Sequence, residues 1–334
     1  MEDKILDSNN EKSVELNDML LVSGAPHLRT DKTVNQIMLD VIIAMIPALI
    51  GSVYFYGMNA LILILVTVAS CLIFEAGTQK IFKKPVRIKD LSAVVTGILI
   101  AFNLPANAPW WIAVFGAAFA IILVKECFGG LGSNFMNPAL AARAAMVASW
   151  PGIMSTYVNP DGITSATPLA LLKSGSNALP SINRMFMGDI GGSLGETSAV
   201  LLLIGALYLL IKGIIDWKTP VLFIGSTCAM LLIFGIDPSL VIYHVLGGGL
   251  ILGAFFMATD YATTPITPKG KIIFAIGAGV LTAIIRVKGS MPEGVSYAIL
   301  LMNVATPVIE RITKPKVFGV VKQPKGGEIN ERNA

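Results

Sequence analysis

Charge is what this chain has least of. Only 14% of its 334 residues are charged, and two are histidine. A soluble domain carries about 25% charged residues, so a deficit spread over most of the length argues against a water-soluble enzyme and for an integral membrane protein. The three cysteines, Cys71, Cys127 and Cys228, stand far apart and form no CxxC pair. An iron–sulfur or structural zinc site therefore lacks its ligand set. His27 and His244 offer no haem or metal pair. No GxGxxG opens a helix after a strand, and no GxxxxGK[ST] occurs, which removes the two common nucleotide cradles. No Ser–His–Asp set is recognisable. Residues 1–36 are mostly polar, with Glu2, Asp3, Asp7, Glu11, Glu15 and Asp18. They lack the basic start and apolar core of a signal peptide, so the N-terminus is expected to stay in the cytoplasm.

What is present is apolar sequence. Hydrophobic residues make up 54% of the chain, and mean hydropathy is +0.72. Ten apolar runs follow one another: 37–56, 61–82, 91–104, 110–124, 138–149, 197–211, 220–236, 239–258, 272–285 and 295–309. A spanning helix needs roughly 20 apolar residues, and several runs are shorter. Runs three and five, bounded by Asn and Pro, are candidates for broken half-helices, which are tolerated where protein or a watery cavity covers the irregular backbone. The expected fold is an all-α polytopic membrane protein of about ten transmembrane helices. Its parts are a cytoplasmic tail (1–36), a first five-helix repeat (37–149), a long loop (150–196), a second five-helix repeat (197–310) and a cytoplasmic tail (311–334).

Basic residues orient the spans. With both ends inside, 20 of the 25 Lys and Arg fall on the inner side and four on the outer, with Arg143 inside a span. That asymmetry is the positive-inside signature. It puts the long loop on the outer face and explains the net charge of +4 without nucleic acid. A weak internal repeat accompanies it: Thr96–Phe102 resembles Gly248–Phe255, and Phe115–Lys125 resembles Ile276–Arg286 at an offset of 161 residues. Five spans per repeat invert the second half relative to the first, an arrangement typical of transporters.

The long loop holds Asp161-Gly162-Ile163-Thr164-Ser165-Ala166-Thr167-Pro168. A threonine hydroxyl can be esterified by a phosphate, tethering a phosphorylated cofactor without a binding domain. Small neighbours at Gly162, Ser165 and Ala166 give access to it. The competing reading is structural: Thr before Pro is a standard helix start. Thr-Pro also occurs at Thr219, Thr264, Thr267 and Thr306, so the dipeptide alone carries no information. Elsewhere, Asn134, Asn137 and Pro138 either cap a half-helix or aim its dipole at an anion or cofactor. Arg143 within a span is a functional candidate, facing Glu126, Glu196, a flavin or a phosphate. Glu196 opens the sixth span, where a carboxylate suits the helix dipole. Asp40 and Glu75 line an ion path or sit at the interface, and Asp189 and Asp260 are simplest as loop residues.

Asp161–Thr167 resembles the flavinylation motif of the NqrB/RnfD family of membrane proteins, Asp-Gly-x-(Ser/Thr)-(Gly/Ser)-Ala-Thr. Phe128–Arg143, Gly188–Ser198 and Gly294–Asn303 resemble further signatures of that family. The resemblance covers about 37–311, and the short N-terminal tail suits the RnfD branch better than the NqrB branch. It implies ten spans and FMN joined to Thr167 by a phosphoester, with Asp161, Gly162, Thr164, Ser165 and Ala166 as the attachment motif; Asn137, Arg143 and Glu196 are further candidates for the cofactor's surroundings. It also allows a second, non-covalent riboflavin. It implies electron relay between ferredoxin and NAD coupled to Na+ or H+ movement, in a bacterial or archaeal plasma membrane. The implied partners are the other Rnf subunits (RnfA, RnfB, RnfC, RnfE and RnfG) and a flavin transferase. The rivals are a quinone-reducing protein of the NqrB type and a non-redox channel or secondary transporter on the same repeat.

Overall fold

Thr33 opens the first helix through a reciprocal capping box: its hydroxyl accepts from Gln36 N, and Gln36 Oε1 accepts from Thr33 N. That exchange satisfies two donors that a helix start otherwise leaves unpaired. The computed structural model describes residues 33–175, 179–196, 198–289 and 293–315. Most of both expected tails lies outside the described residues, as does Thr197 of the Gly188–Ser198 motif.

Each of the ten apolar runs has a helical counterpart. Runs one and two join in α1 (Val34–Ile81), which breaks at Gly57, where φ is 66°. A side chain there would be strained. Next come α2 (Ser92–Phe102), α3 (Trp110–Ala118), which continues as a π-helical stretch over Phe119–Glu126, and α4 (Pro138–Ser149). Between the halves lie α5 (Pro151–Met154), the strands β1 (Tyr157–Val158) and β2 (Thr164–Ser165), α6 (Pro168–Lys173) and α7 (Ile182–Met187). The second half holds α8 (Ala199–Ile211), α9 (Lys218–Ile233), α10 (Pro238–Leu246), α11 (Leu250–Leu252, continuing as π over Gly253–Met257), α12 (Pro268–Lys288) and α13 (Val295–Thr313).

Among the described residues, α1, α12 and α13 are long and apolar enough to cross a membrane. The pair α10 and α11, bent by 64°, passes that test when taken as one broken span. The break thus falls in run eight and not in runs three and five, whose helices are short but uninterrupted. Its cause is Gly247-Gly248-Gly249, with φ of 63° and 64° at the last two. The all-α expectation also misses the small antiparallel hairpin, which pairs Tyr157 with Ser165 and Val158 with Thr164.

α1 packs against α2, α3 and α8; α9 packs against α12, and α12 against α13. α4 links the halves, touching α2 and α13. Glycines allow the closest approaches, as between membrane helices generally. A Cβ on Gly205 would collide with the Ala44 carbonyl oxygen, so this glycine lets α8 lie directly on α1. Ile50, Ile62, Leu65 and Ile73 of α1 and Leu301, Val304 and Val308 of α13 are exposed. Such apolar faces require a lipid or protein cover.

Candidate functional site in the long loop

The Asp161–Thr167 segment is shaped by local backbone chemistry. Gly162 N donates to Asn159 O and Asn159 N to Ile163 O, both at 2.9 Å, closing a turn over Pro160-Asp161. Gly162 takes the φ of 79° that this turn needs. Ser165 Oγ donates to Asn159 Oδ1 at 2.6 Å. Asp161, Gly162, Thr164 and Ala166 are exposed, whereas Thr167 is only 6% exposed. Thr167 caps α6: its hydroxyl accepts from Ala170 N at 3.3 Å, and Pro168 takes the first helical position. The capping reading of Thr-Pro is therefore realised here. α6 rests on α10 beside the helix break, with Leu169 buried. Lys173 Nζ donates to Gly289 O in the α12–α13 connection.

Under the hairpin lies a buried ion cluster. Arg143 of α4 donates through Nη1 to Asn103 Oδ1 at 2.8 Å and to Asn103 O at 3.3 Å. Its Nη2 pairs with Glu293 and lies 3.8 Å from Glu196 Oε1. Tyr157 of β1 donates its hydroxyl to Glu293 Oε1 at 2.9 Å. Burial, and after it the Glu293 carboxylate, pushes the Tyr157 phenol well above its usual range, so it remains a donor at physiological pH. Asn103, Arg143, Glu196 and Glu293 surround a small cleft together with Gly249 and Ser296. Glu126 is not a partner of Arg143, because it accepts from Gln79 Nε2 at 3.0 Å. Nor does Glu196 cap the sixth helix. It ends a 3₁₀ turn, Leu194–Glu196, and Ser198 caps α8.

Two further buried cations sit at helix ends. Lys125, 2% exposed, donates to Glu75 Oε1 at 2.8 Å and to Ser92 Oγ at 2.7 Å. Arg286 donates to the carbonyls of His244, Gly247 and Gly248, where α10 stops. A cation there satisfies carbonyls that a helix end leaves open. Setting these two aside from the loop charges makes the basic split 19 to three; the asymmetry is unaltered. Removing one member of a buried pair costs about 3–5 kcal/mol, whereas an apolar replacement of both is often neutral. Lys125→Met should therefore lower the Tm of the solubilised chain, and Lys125→Met/Glu75→Leu should recover most of the loss. A double variant as unstable as the single would refute the pairing.

The remaining expected residues are placed as follows. Asn137 Oδ1 accepts from Ala139 N at 3.0 Å and Leu140 N at 3.2 Å, an ordinary cap for α4. Asn134 Oδ1 is buried with no partner among the described residues. Asp40 accepts from the Tyr208 hydroxyl at 2.7 Å, and Asp189 pairs with exposed Arg184. Asp260 orders its loop through Ala262 N and Thr263 Oγ1. No group of three His, Cys, Asp or Glu fit to hold a metal ion occurs among the described residues. Reading the sequence missed Tyr157, Glu293 and Asn103. The available signal for Glu293 was a carboxylate directly before the Gly294–Asn303 motif; Tyr157 and Asn103 gave none.

Residues 21–319 match the family described as NQR2, RnfD, RnfE. The D subunit of the Na+-translocating ferredoxin:NAD+ oxidoreductase complex of Acetobacterium woodii is 55% identical to the chain, covering 93% of it and 98% of that relative. The D subunit of the proton-translocating ferredoxin:NAD+ oxidoreductase complex of Clostridium ljungdahlii is 42% identical over 89% of the chain and 96% of the relative. Its counterpart in the ion-translocating oxidoreductase complex of Stutzerimonas stutzeri is 38% identical over 86% and 92%. On the family match across nine-tenths of its length and these identities, the chain is a multi-pass membrane protein that belongs to the NQR2, RnfD, RnfE family.

Proposed function

We propose that this chain is the flavin-carrying membrane protein RnfD of an ion-translocating ferredoxin:NAD oxidoreductase, with FMN esterified to Thr167. The observation that carries the assignment to this complex is the 55% identity to a D subunit over nearly the full length of both chains. The attachment rests on Asp161–Thr167, where an exposed run of small and polar residues leads into a threonine that heads its own short helix. The flavin would supply one-electron relay. The chain's own contribution is to hold the hairpin and α6 against the helix break and, through Asn103, Arg143 and Glu293, to keep the ground beneath them rigid. RnfA, RnfB, RnfC, RnfE and RnfG would supply the ferredoxin and NAD chemistry. The relatives' names give Na+ in one case and a proton in another, and coupling to one of these is part of the proposal.

The two halves are read as inverted five-helix repeats with the long loop outside. Lys125 and Arg286, 161 residues apart, are both buried cations at helix ends. A Cβ on Gly116 would lie 2.8 Å from Met146 Sδ, and one on Gly277 would lie 2.6 Å from Met302 Cε. The same glycine–methionine contact thus joins α3 to α4 and α12 to α13. The proposal includes a second, non-covalent riboflavin.

The flavin test uses the wild-type chain. Co-expressed with a flavin transferase and run on a denaturing gel, its band should fluoresce under ultraviolet light. A dark band overturns the covalent assignment and favours the transporter rival.

A further inference from the structure

We infer that Gly289 and Glu293, between α12 and α13, clasp the Thr167 loop from both sides, and that Thr167 is esterified while this clasp is open. The inference rests on the proposed FMN attachment. Among the described residues, two contacts define the clasp. On one side of Thr167, Tyr157 donates to Glu293 Oε1 at 2.9 Å, and Tyr157 pairs across the hairpin with Ser165, two residues before Thr167. On the other side, Lys173 at the end of α6 donates to Gly289 O. Gly289 and Glu293 belong to one and the same connection between α12 and α13. Glu293 is itself pinned by Arg143, so the clasp reaches from the second half of the chain to α4 of the first.

With the clasp closed, Thr167 is 6% exposed and its hydroxyl is occupied by Ala170 N. Its neighbour Ala166 is exposed. A transferase therefore meets the motif but not the oxygen it must modify. In the step itself, Thr167 Oγ1 bonds to the FMN phosphorus of a flavin dinucleotide donor, the pyrophosphate bond breaks and AMP leaves. The hydroxyl proton passes to a base of the transferase. This needs Oγ1 turned out of its cap and clear of the loop's underside. Releasing Tyr157 frees the hairpin, and releasing Lys173 frees the far end of α6; Thr167 lies between them.

Arg143 and Glu293 hold the fold together, so the test spares them. The full chain is produced without transferase as wild type, Tyr157→Phe, Lys173→Met and the double variant, each in detergent. Transferase and flavin dinucleotide are then added, and in-gel flavin fluorescence is followed with time. Losing one hydrogen bond of ordinary strength should raise the initial rate about fivefold, with the double variant faster than either single. Rates within about twofold of wild type in both singles, or slower, overturn the inference. Proteinase K cutting between residues 150 and 196 is measured in parallel and needs no flavin. It should accelerate in the same order, and unchanged cutting overturns the clasp. A wild-type band that stays dark while cutting accelerates refutes the flavin reading and the open-state esterification, and retains the clasp.

Discussion

Thr167→Asn should erase covalent flavin fluorescence completely while leaving the chain as stable as wild type. Asparagine ranks with the best helix N-caps, so α6 keeps its start, but it has no hydroxyl to esterify. Thr167→Val should be equally dark and additionally lose about 1 kcal/mol, because valine cannot accept the Ala170 N–H. Thr164→Val should fluoresce like wild type. Thr164 is exposed on β2, and its pairing with Val158 uses backbone groups that valine retains. The three variants separate the two claims on one oxygen: capping is read from Tm and esterification from the gel. A Thr167→Asn band as bright as wild type would move the flavin elsewhere.

Arg143→Met should be the most destabilising single change in the ion cluster. Glu196 and Glu293 would then face one another without the guanidinium that both approach. Removing one partner of a buried pair costs about 3–5 kcal/mol, which for a chain of this size is on the order of 10 °C in Tm. Arg143→Lys should lose less, but still measurably. An ammonium keeps the charge and lacks the fork that reaches Asn103 and Glu293 together. Arg143→Met/Glu293→Gln should regain part of the loss by removing one orphaned charge. A Tm for Arg143→Met within about 2 °C of wild type would show that the cluster contributes nothing to stability.

Local features of this chain were readable because local chemistry makes them. Thr167 and Asn137 sit directly before helices that their side chains cap, and the cap is decided within four residues of chain. Apolar runs likewise located the helices, since burial or lipid contact is the only way to accommodate them. Of the partners of Arg143, Glu196 was readable as a candidate, whereas Glu293 and Asn103 were not. Glu293 lies 150 residues away and Asn103 lies 40 away, and nothing in their own neighbourhoods points to an arginine. Glu196 was open to two readings, a carboxylate that suits a helix start and a partner of Arg143. Both have a sound basis in the sequence, and only the fold decides for the cation at 3.8 Å. The broken span was misplaced because Asn and Pro at the ends of short runs drew attention. Three consecutive glycines inside a long run gave the stronger signal, since they remove both side-chain packing and the restriction on φ.

The π-helical stretch at the end of α3 makes chain length itself part of the buried cluster. Over Phe119–Glu126 the backbone bonds five residues back, as in Cys127 N to Ile122 O at 3.0 Å. Such a stretch accommodates one residue more than an α-helix would, and one residue corresponds to about 100° of rotation. Lys125 and Glu126 therefore owe the faces they present to the π bonding that absorbs this added residue. Were the stretch to revert to regular α-helical bonding at its present length, both side chains would swing by about 100°, away from Glu75 and Gln79. No charge would have changed, yet both buried contacts would be gone. Within this family, then, a one-residue gap in that stretch would mark a regular helix that still presents the lysine to its partner.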